Sequence, residues 1–157
     1  MAGTPVDVDY EDAILKASSA SDNIDTRLRF HDDADLDALL AGSDWGVFLY
    51  DRVSNSGSVI HAFSIGLPAL AYDLPFFQEC FGPEPRPGVL VPNRRKMTGS
   101  DWDDLAEQAR SPSHLVMRRR AMEVAAQHSP AAVAAVLLDH FSSREDLRPN
   151  MEGASCK

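Results

Sequence analysis

Three short runs, WGVFLY at residues 45–50, ALAY at 69–72 and PGVLVP at 87–92, carry no charged or amide side chain. A run that is apolar at consecutive positions, instead of every second one, suits a strand covered on both faces, as in sheets flanked by helices. Between the first two runs, Val59, Ile60, Phe63 and Ser64 recur at helical spacing from Gly57 to Ile65, and Gly66 with Pro68 stops that helix. Strand, helix, strand in this order implies a crossover connection, hence a parallel pair. The expected fold class is therefore α/β: a Rossmann-like, mostly parallel sheet flanked by helices.

The flanking sequence extends this pattern. Residues 9–20 place Ala13, Ile14 and Ala17 on one helical face, and IDTRLRF at 24–30 alternates Ile24, Thr26, Leu28 and Phe30 with charged residues, the period of an edge strand. DDADLDALLAGS at 32–43 opens with aspartates suited to free N–H groups and closes at Gly42, which predicts a second helix. Three more helices are expected after residue 99: 100–110 opened by Ser100, 112–128 opened by Pro112, and 129–143 with Ser129 as N-cap and Pro130 in the first turn. The tail 144–157 lacks apolar periodicity and is expected to be disordered. A chain of 157 residues, 44% hydrophobic, suffices for one ordinary domain, here residues 1–143.

Charge narrows the possible partners. Residues 1–51 hold 12 of the 24 acids and 3 of the 15 bases, so they carry the whole net charge of −9. An acidic half repels nucleic-acid phosphates and anionic lipid, while the basic runs Arg94 to Lys96 and Arg118 to Arg120 read as solvated faces. Neither a nucleic-acid partner nor a membrane span is expected, and the acidic N-terminus has no apolar signal core; a cytoplasmic location follows as the expectation. Cys80 and Cys156 are 76 positions apart, without metal spacing, and read as free thiols. The five histidines form no HxxxH or HExxH pair, so neither a metal site nor a cofactor is expected.

The segment YDRVSNSGS follows the run 45–50 and precedes the helix at Gly57. Ligands of parallel α/β sheets bind beyond the carboxyl ends of strands, and a helix N-terminus offers unpaired N–H groups and a positive dipole end. Gly57 permits close backbone approach, and Ser54, Ser56 and Ser58 add hydroxyls. The turn lacks the Gly-Lys-Ser/Thr of a Walker loop and the spacing of GxGxxG. Two readings fit it: a diphosphate cradle, or an ordinary Ser- and Asn-capped turn. Arg52 is either a phosphate contact or an exposed loop arginine, and His61 either a ligand contact or a packed or surface histidine.

The longer stretch AGSDWGVFLYDRVSNSGSVIHAFSIGLPALAYDLPFFQEC resembles the donor-binding C-terminal half of GT-B glycosyltransferases. The likeness is to the group 1, family 4-like enzymes, which include sucrose and glycogen synthases and many bacterial mannosyl- and glucosyltransferases. The order strand, Gly-containing turn, helix ending HAFSIG, then LPALAYD with its acidic residue is similar to theirs. NIDTRLRFHDDADLDALLAGSD before it, and GVLVPN with the helices after it, extend the likeness over about residues 22–141.

That resemblance implies a nucleotide-diphosphate sugar held against this half, its diphosphate bound by backbone amides of Asn55, Ser56, Gly57 and Ser58 with Arg52 nearby, and its ribose bonded by His61. Many members carry two glutamates eight positions apart in this region; here Val53 and His61 occupy those places. The family's first glycine turn, its diphosphate-neutralising cation pair and its acceptor domain precede the matched part. The expectation is accordingly a glycosyltransferase-related protein that works with a partner supplying the acceptor half, with no residue nameable as catalytic base. The alternative is a non-catalytic α/β interaction or regulatory module derived from such an enzyme, whose apolar surface would favour homo-oligomers.

Overall fold

A computed structural model describes residues 8–145. By its internal contacts the chain divides into two compact units, residues 1–42 and 43–157. The first unit holds helices α1 (Val8–Ser18) and α2 (Asp33–Ala41). Asp32 caps α2 by accepting from the Asp35 N–H, and Gly42 closes it with an N–H donated to the Ala38 carbonyl. Both ends follow the chemistry read from DDADLDALLAGS.

The expected edge strand at 24–30 is absent; only Arg27 makes an isolated bridge. Local bonds take the place of a ladder. The Arg29 N–H donates to the Arg27 carbonyl, Arg27 pairs with Asp25, Arg29 pairs with Asp35, and the His31 Nε2 bonds the Arg27 carbonyl. Phe30, on the apolar side of the alternation, is 78% exposed. The period-2 pattern therefore reflects residue order without the buried face that gives such a pattern its stabilising value.

The second unit contains strands β1 (Gly46–Phe48), β2 (Ala69–Tyr72) and β3 (Gly88–Val91) in the order β1-β2-β3, all parallel. Helix α3 (Gly57–Ser64) connects β1 to β2, and α4 (Pro75–Phe81) connects β2 to β3. Helices α5 (Gly99–Gln108), α6 (Pro112–Gln127) and α7 (Pro130–Glu145) follow. Helix α4 is an element that the apolar-run reading missed. Its signals are Pro75 at the first helical position, Phe76, Phe77, Cys80 and Phe81 at helical spacing, and Gly82 at the end.

Alternation along the strands assigns the two faces. Leu70 clusters with Val91 and with Leu105 of α5, while Trp45, Leu49, Tyr72 and Val89 pack against them. The Trp45 Nε1 donates to the Leu105 carbonyl at 3.0 Å, fixing α5 to the start of β1. Ala69 and Ala71 point the other way and are fully buried. That side carries α3 and α4, whose Phe63 and Phe81 rings lie 5.6 Å apart. A sheet with sequential strand order and one crossover hand must place both crossover helices on one face, and this ring contact agrees. The result is a three-stranded parallel α/β sheet with helices on both sides, consistent with the Rossmann-like expectation.

Helix α6 packs along α3, and Gly66, with φ of +76°, ends α3 where a side chain would meet Met122 and the Arg118 carbonyl. Buried His114 of α6 bonds the Asp44 carbonyl through Nε2 at 2.9 Å and meets the Trp45 ring edge-on at 5.2 Å. Helix α5 begins after Thr98, and Ser100 lies inside its first turn. The Asp101 carboxylate accepts from both the Thr98 N–H and the Thr98 hydroxyl, which explains the earlier start. Ser129 does cap α7, accepting from the Ala132 N–H, and the helix runs to Glu145; the rest of the expected tail, 146–157, lies outside the described residues.

A methyl group on residue 88 would stand 1.9 Å from the Ala69 carbonyl oxygen, which is backbone and cannot yield without breaking the β2–β3 register. Gly88→Ala should therefore destabilise the protein by about 2–3 kcal/mol in urea unfolding, the scale of an overpacked core position. The Thr98 bonds, reinforced by Arg95, hold the Asp101 pKa below its ordinary 3.8. A depressed carboxylate adds stability above 3.8 that is lost as pH falls through the lower folded value. Urea midpoints measured across that acid range should fall more steeply for the wild type than for Asp101→Ala.

Candidate functional site

The carboxyl ends of all three parallel strands lie at one edge of the sheet. At this edge an open depression of about 480 Å³ is lined by Tyr50 and by every residue from Arg52 to Ser58. It belongs to a single connection, the one joining β1 to α3. The sequence reading placed the candidate turn here, and the structure gathers Arg52, Asn55, Ser56, Gly57 and Ser58 around the same hollow.

Local geometry gives each of these residues a distinct part. Ser56 is extended, with φ of −149° and ψ of 102°, and its hydroxyl accepts from the Val59 N–H at 3.3 Å. The Ile60 N–H bonds the Ser56 carbonyl, so the third and fourth N–H groups of α3 are satisfied from within. Among the described residues no acceptor takes the N–H groups of Gly57 or Ser58. These two donors remain at the positive end of the α3 dipole. A Cβ on Gly57 would meet nothing within 4 Å, so its α-carbon faces open space. The glycine is not needed for packing, and its backbone is accessible.

Arg52 is exposed and, among the described residues, forms no ion pair. It is the one charged side chain in the lining; Asp51, beside it, pairs with Arg94 at 3.7 Å. His61 lies one turn into α3, half-buried, and is not part of the lining; Val53 is. The structure thus brings the turn and Arg52 together and leaves His61 outside the hollow. Asp73, the acidic residue after LPALAY, follows β2 and accepts from the Gln78 amide at 2.8 Å, also outside the lining.

The lining carries the hydroxyls of Tyr50, Ser54, Ser56 and Ser58 and no carboxylate, imidazole or thiol side chain. Burial pushes the Cys80 thiol up to about 11, with Glu79 adding to the effect, so it stays protonated at neutral pH. Among the described residues no three His, Cys, Asp or Glu side chains gather as a metal site, and no single helix is long and apolar enough to cross a membrane. The arrangement can bind an anion. The fold and site define a parallel α/β protein with a loop-built, polar hollow at its strand ends. Compared with known families and with curated proteins, the chain matches no family model and no curated protein.

Because the Ser56 hydroxyl closes the α3 N-terminus, Ser56→Ala should lower stability by about 1 kcal/mol, the usual cost of a lost N-cap. Ser58→Ala, whose side chain caps nothing, should leave the urea midpoint within experimental error. A larger loss in Ser58→Ala than in Ser56→Ala would contradict this cap assignment.

Proposed function

We propose that this protein binds a nucleotide-diphosphate sugar through the hollow at the β1–α3 connection and belongs to a glycosyltransferase system as its donor-binding half. The observation that carries the reading is one accessible hollow lined by Arg52 and by Gly57 and Ser58, whose N–H groups are unaccepted among the described residues at the positive end of the α3 dipole. A diphosphate needs several donors and positive charge within a few ångströms, and helix N-termini supply both. The Rossmann-like order of elements and the resemblance of residues 22–141 to GT-B donor domains point the same way.

In this reading the amides of Asn55, Ser56, Gly57 and Ser58 and the Arg52 side chain receive the diphosphate, and the nucleoside extends towards α3, where His61 is one turn away. The sugar would pass to an acceptor held by a protein that supplies the other half, because the hollow itself contains no catalytic base. A second reading, a non-catalytic interaction module, is favoured by α7, on which Val133, Val136, Leu137, Leu138 and Phe141 are 49–70% exposed. Apolar surface on this scale marks contact with another chain, whether that acceptor half or a second copy.

Calorimetric titration of the purified chain with UDP, GDP and ADP separates the two readings. Gly57→Asp is the informative control: its Cβ points into open space and a carboxylate in the first helical turn favours the helix, so the fold is kept while an anion is repelled. Binding of one nucleotide that disappears in Gly57→Asp is the expected result. A folded wild-type chain that binds none of them at millimolar concentration would sink the donor-half reading and leave the interaction module.

A further inference from the structure

Helix α6 buries His114, Ala121, Val124 and Ala125. Helix α7 has the same length, yet of its described side chains, residues 130–142, none is buried and Ala132 alone is half-buried. Those residues read PAAVAAVLLDHFS, with Asp139 as the one acid and neither Lys nor Arg. A helix that is apolar over most of its surface owes its stability to packing, because a single helix of this length is marginal by itself in water. The outer side of α7 is therefore left to be covered.

At about 100° per residue, Val136, Val133, Leu137 and Phe141 fall within an arc of about 140°, with Leu138 at its edge. These five are 49–70% exposed, and Ala132 lies outside the arc. The helix is also graded in size: its first half holds Ala131, Ala132, Ala134 and Ala135, and its second half Leu137, Leu138 and Phe141. A second α7 laid antiparallel, with the two Leu137 side chains on the two-fold axis, sets Phe141 against Val133 of the other copy and the large half against the small half. A patch that complements itself in this way is what an isologous interface requires.

Charge and area favour the same occupant. Antiparallel pairing brings the positive N-terminal end of each helix beside the negative C-terminal end of the other, and moves Asp139 towards the other copy's N-terminal half. The net charge of −9 belongs to residues 1–51, whereas residues 52–157 carry 12 acids and 12 bases, so the paired segment brings no excess of like charge. An anionic lipid surface fits less well, because Lys and Arg flanking the apolar face hold such a surface and residues 130–142 supply none. The five side chains expose on the order of 100 Å² each, so a pair removes about 1,000 Å² from water, at the lower bound for a specific interface. The dimer is accordingly reversible and dilutes to monomer.

We propose that this chain pairs with a second copy of itself through antiparallel α7 helices, with Leu137 on the two-fold axis. The inference goes beyond the donor reading and holds whatever the hollow binds. It gives to a second copy the face that the interaction-module reading left between two partners.

The test is sedimentation velocity on the full chain over a concentration series from micromolar to millimolar, with circular dichroism as the fold check for every variant. The wild type should pass from monomer to dimer across the series. Leu137→Asp and Leu137→Lys should each weaken dimerisation at least tenfold, because two like charges then meet on the axis, and an equimolar mixture of the two should recover it. Val133→Lys mixed with Phe141→Asp should recover it as well, since only the antiparallel register brings those positions together. A wild type that stays monomeric throughout overturns the pairing, as does a dimer that survives both Leu137 variants. Recovery in the Leu137 mixture without recovery in the Val133 and Phe141 mixture overturns the antiparallel arrangement. Nucleotide titration is read separately: Leu137→Asp should match the wild type with UDP, GDP and ADP, so failure of the pairing and failure of the donor reading are different results.

Discussion

The Ala69 carbonyl of β2 occupies the place where residue 88 of β3 would carry its first side-chain carbon, so the two strands reach their register only because residue 88 is glycine. The arrangement of the sheet in the second unit depends on that contact. β2 is paired on both edges and buried on both faces, with Ala69, Leu70 and Ala71 fully inaccessible, so it is the fixed member against which β1 and β3 align. Parallel pairing then puts the carboxyl ends of all three strands at one edge. The β1–α3 turn and the Arg94 loop meet there because the ladder leaves them nowhere else to go.

Magnitudes separate the scaffold from the rim. Phe63, Phe77 and Phe81 are fully buried between α3, α4 and the sheet, and burial of each side chain stabilises by roughly 1.5–3 kcal/mol. The exposed ion pair of Arg94 with Asp51 contributes a fraction of one such ring. The core therefore holds α3 in place, and of the residues around the hollow Ser56 adds to this through its N-cap.

The parallel core was readable because its signals are local and redundant. WGVFLY, ALAY and PGVLVP became β1, β2 and β3, the first and third shortened at their ends and the second at full length, and the helix between the first two begins at the expected Gly57. The reading failed where a local pattern had to be completed by something distant. IDTRLRF has strand alternation, yet in place of ladder bonds its backbone makes the Arg29-to-Arg27 bond, and Phe30 is left in solvent. PFFQECF has helical spacing over barely two turns, too short to stand out as a helix, and its place is fixed only where the Phe81 ring meets Phe63 of α3. The start of α5 moved to Thr98 because Asp101 reaches back to it, a choice between two hydroxyl residues that propensity alone does not make.

Within the site the division is similar. Sequence by itself determined the strand-turn-helix order, the bare SNSGS backbone and the solitary Arg52, since these are properties of consecutive residues. Only the tertiary structure decided that His61 lies outside the hollow, that Arg95 belongs to α5, and that Arg94 faces Asp51 43 positions earlier. The reason is geometric. A contact between loops at the ends of β1 and β3 is set by the parallel register of β2 between them, and that register is fixed by the missing side chain at Gly88.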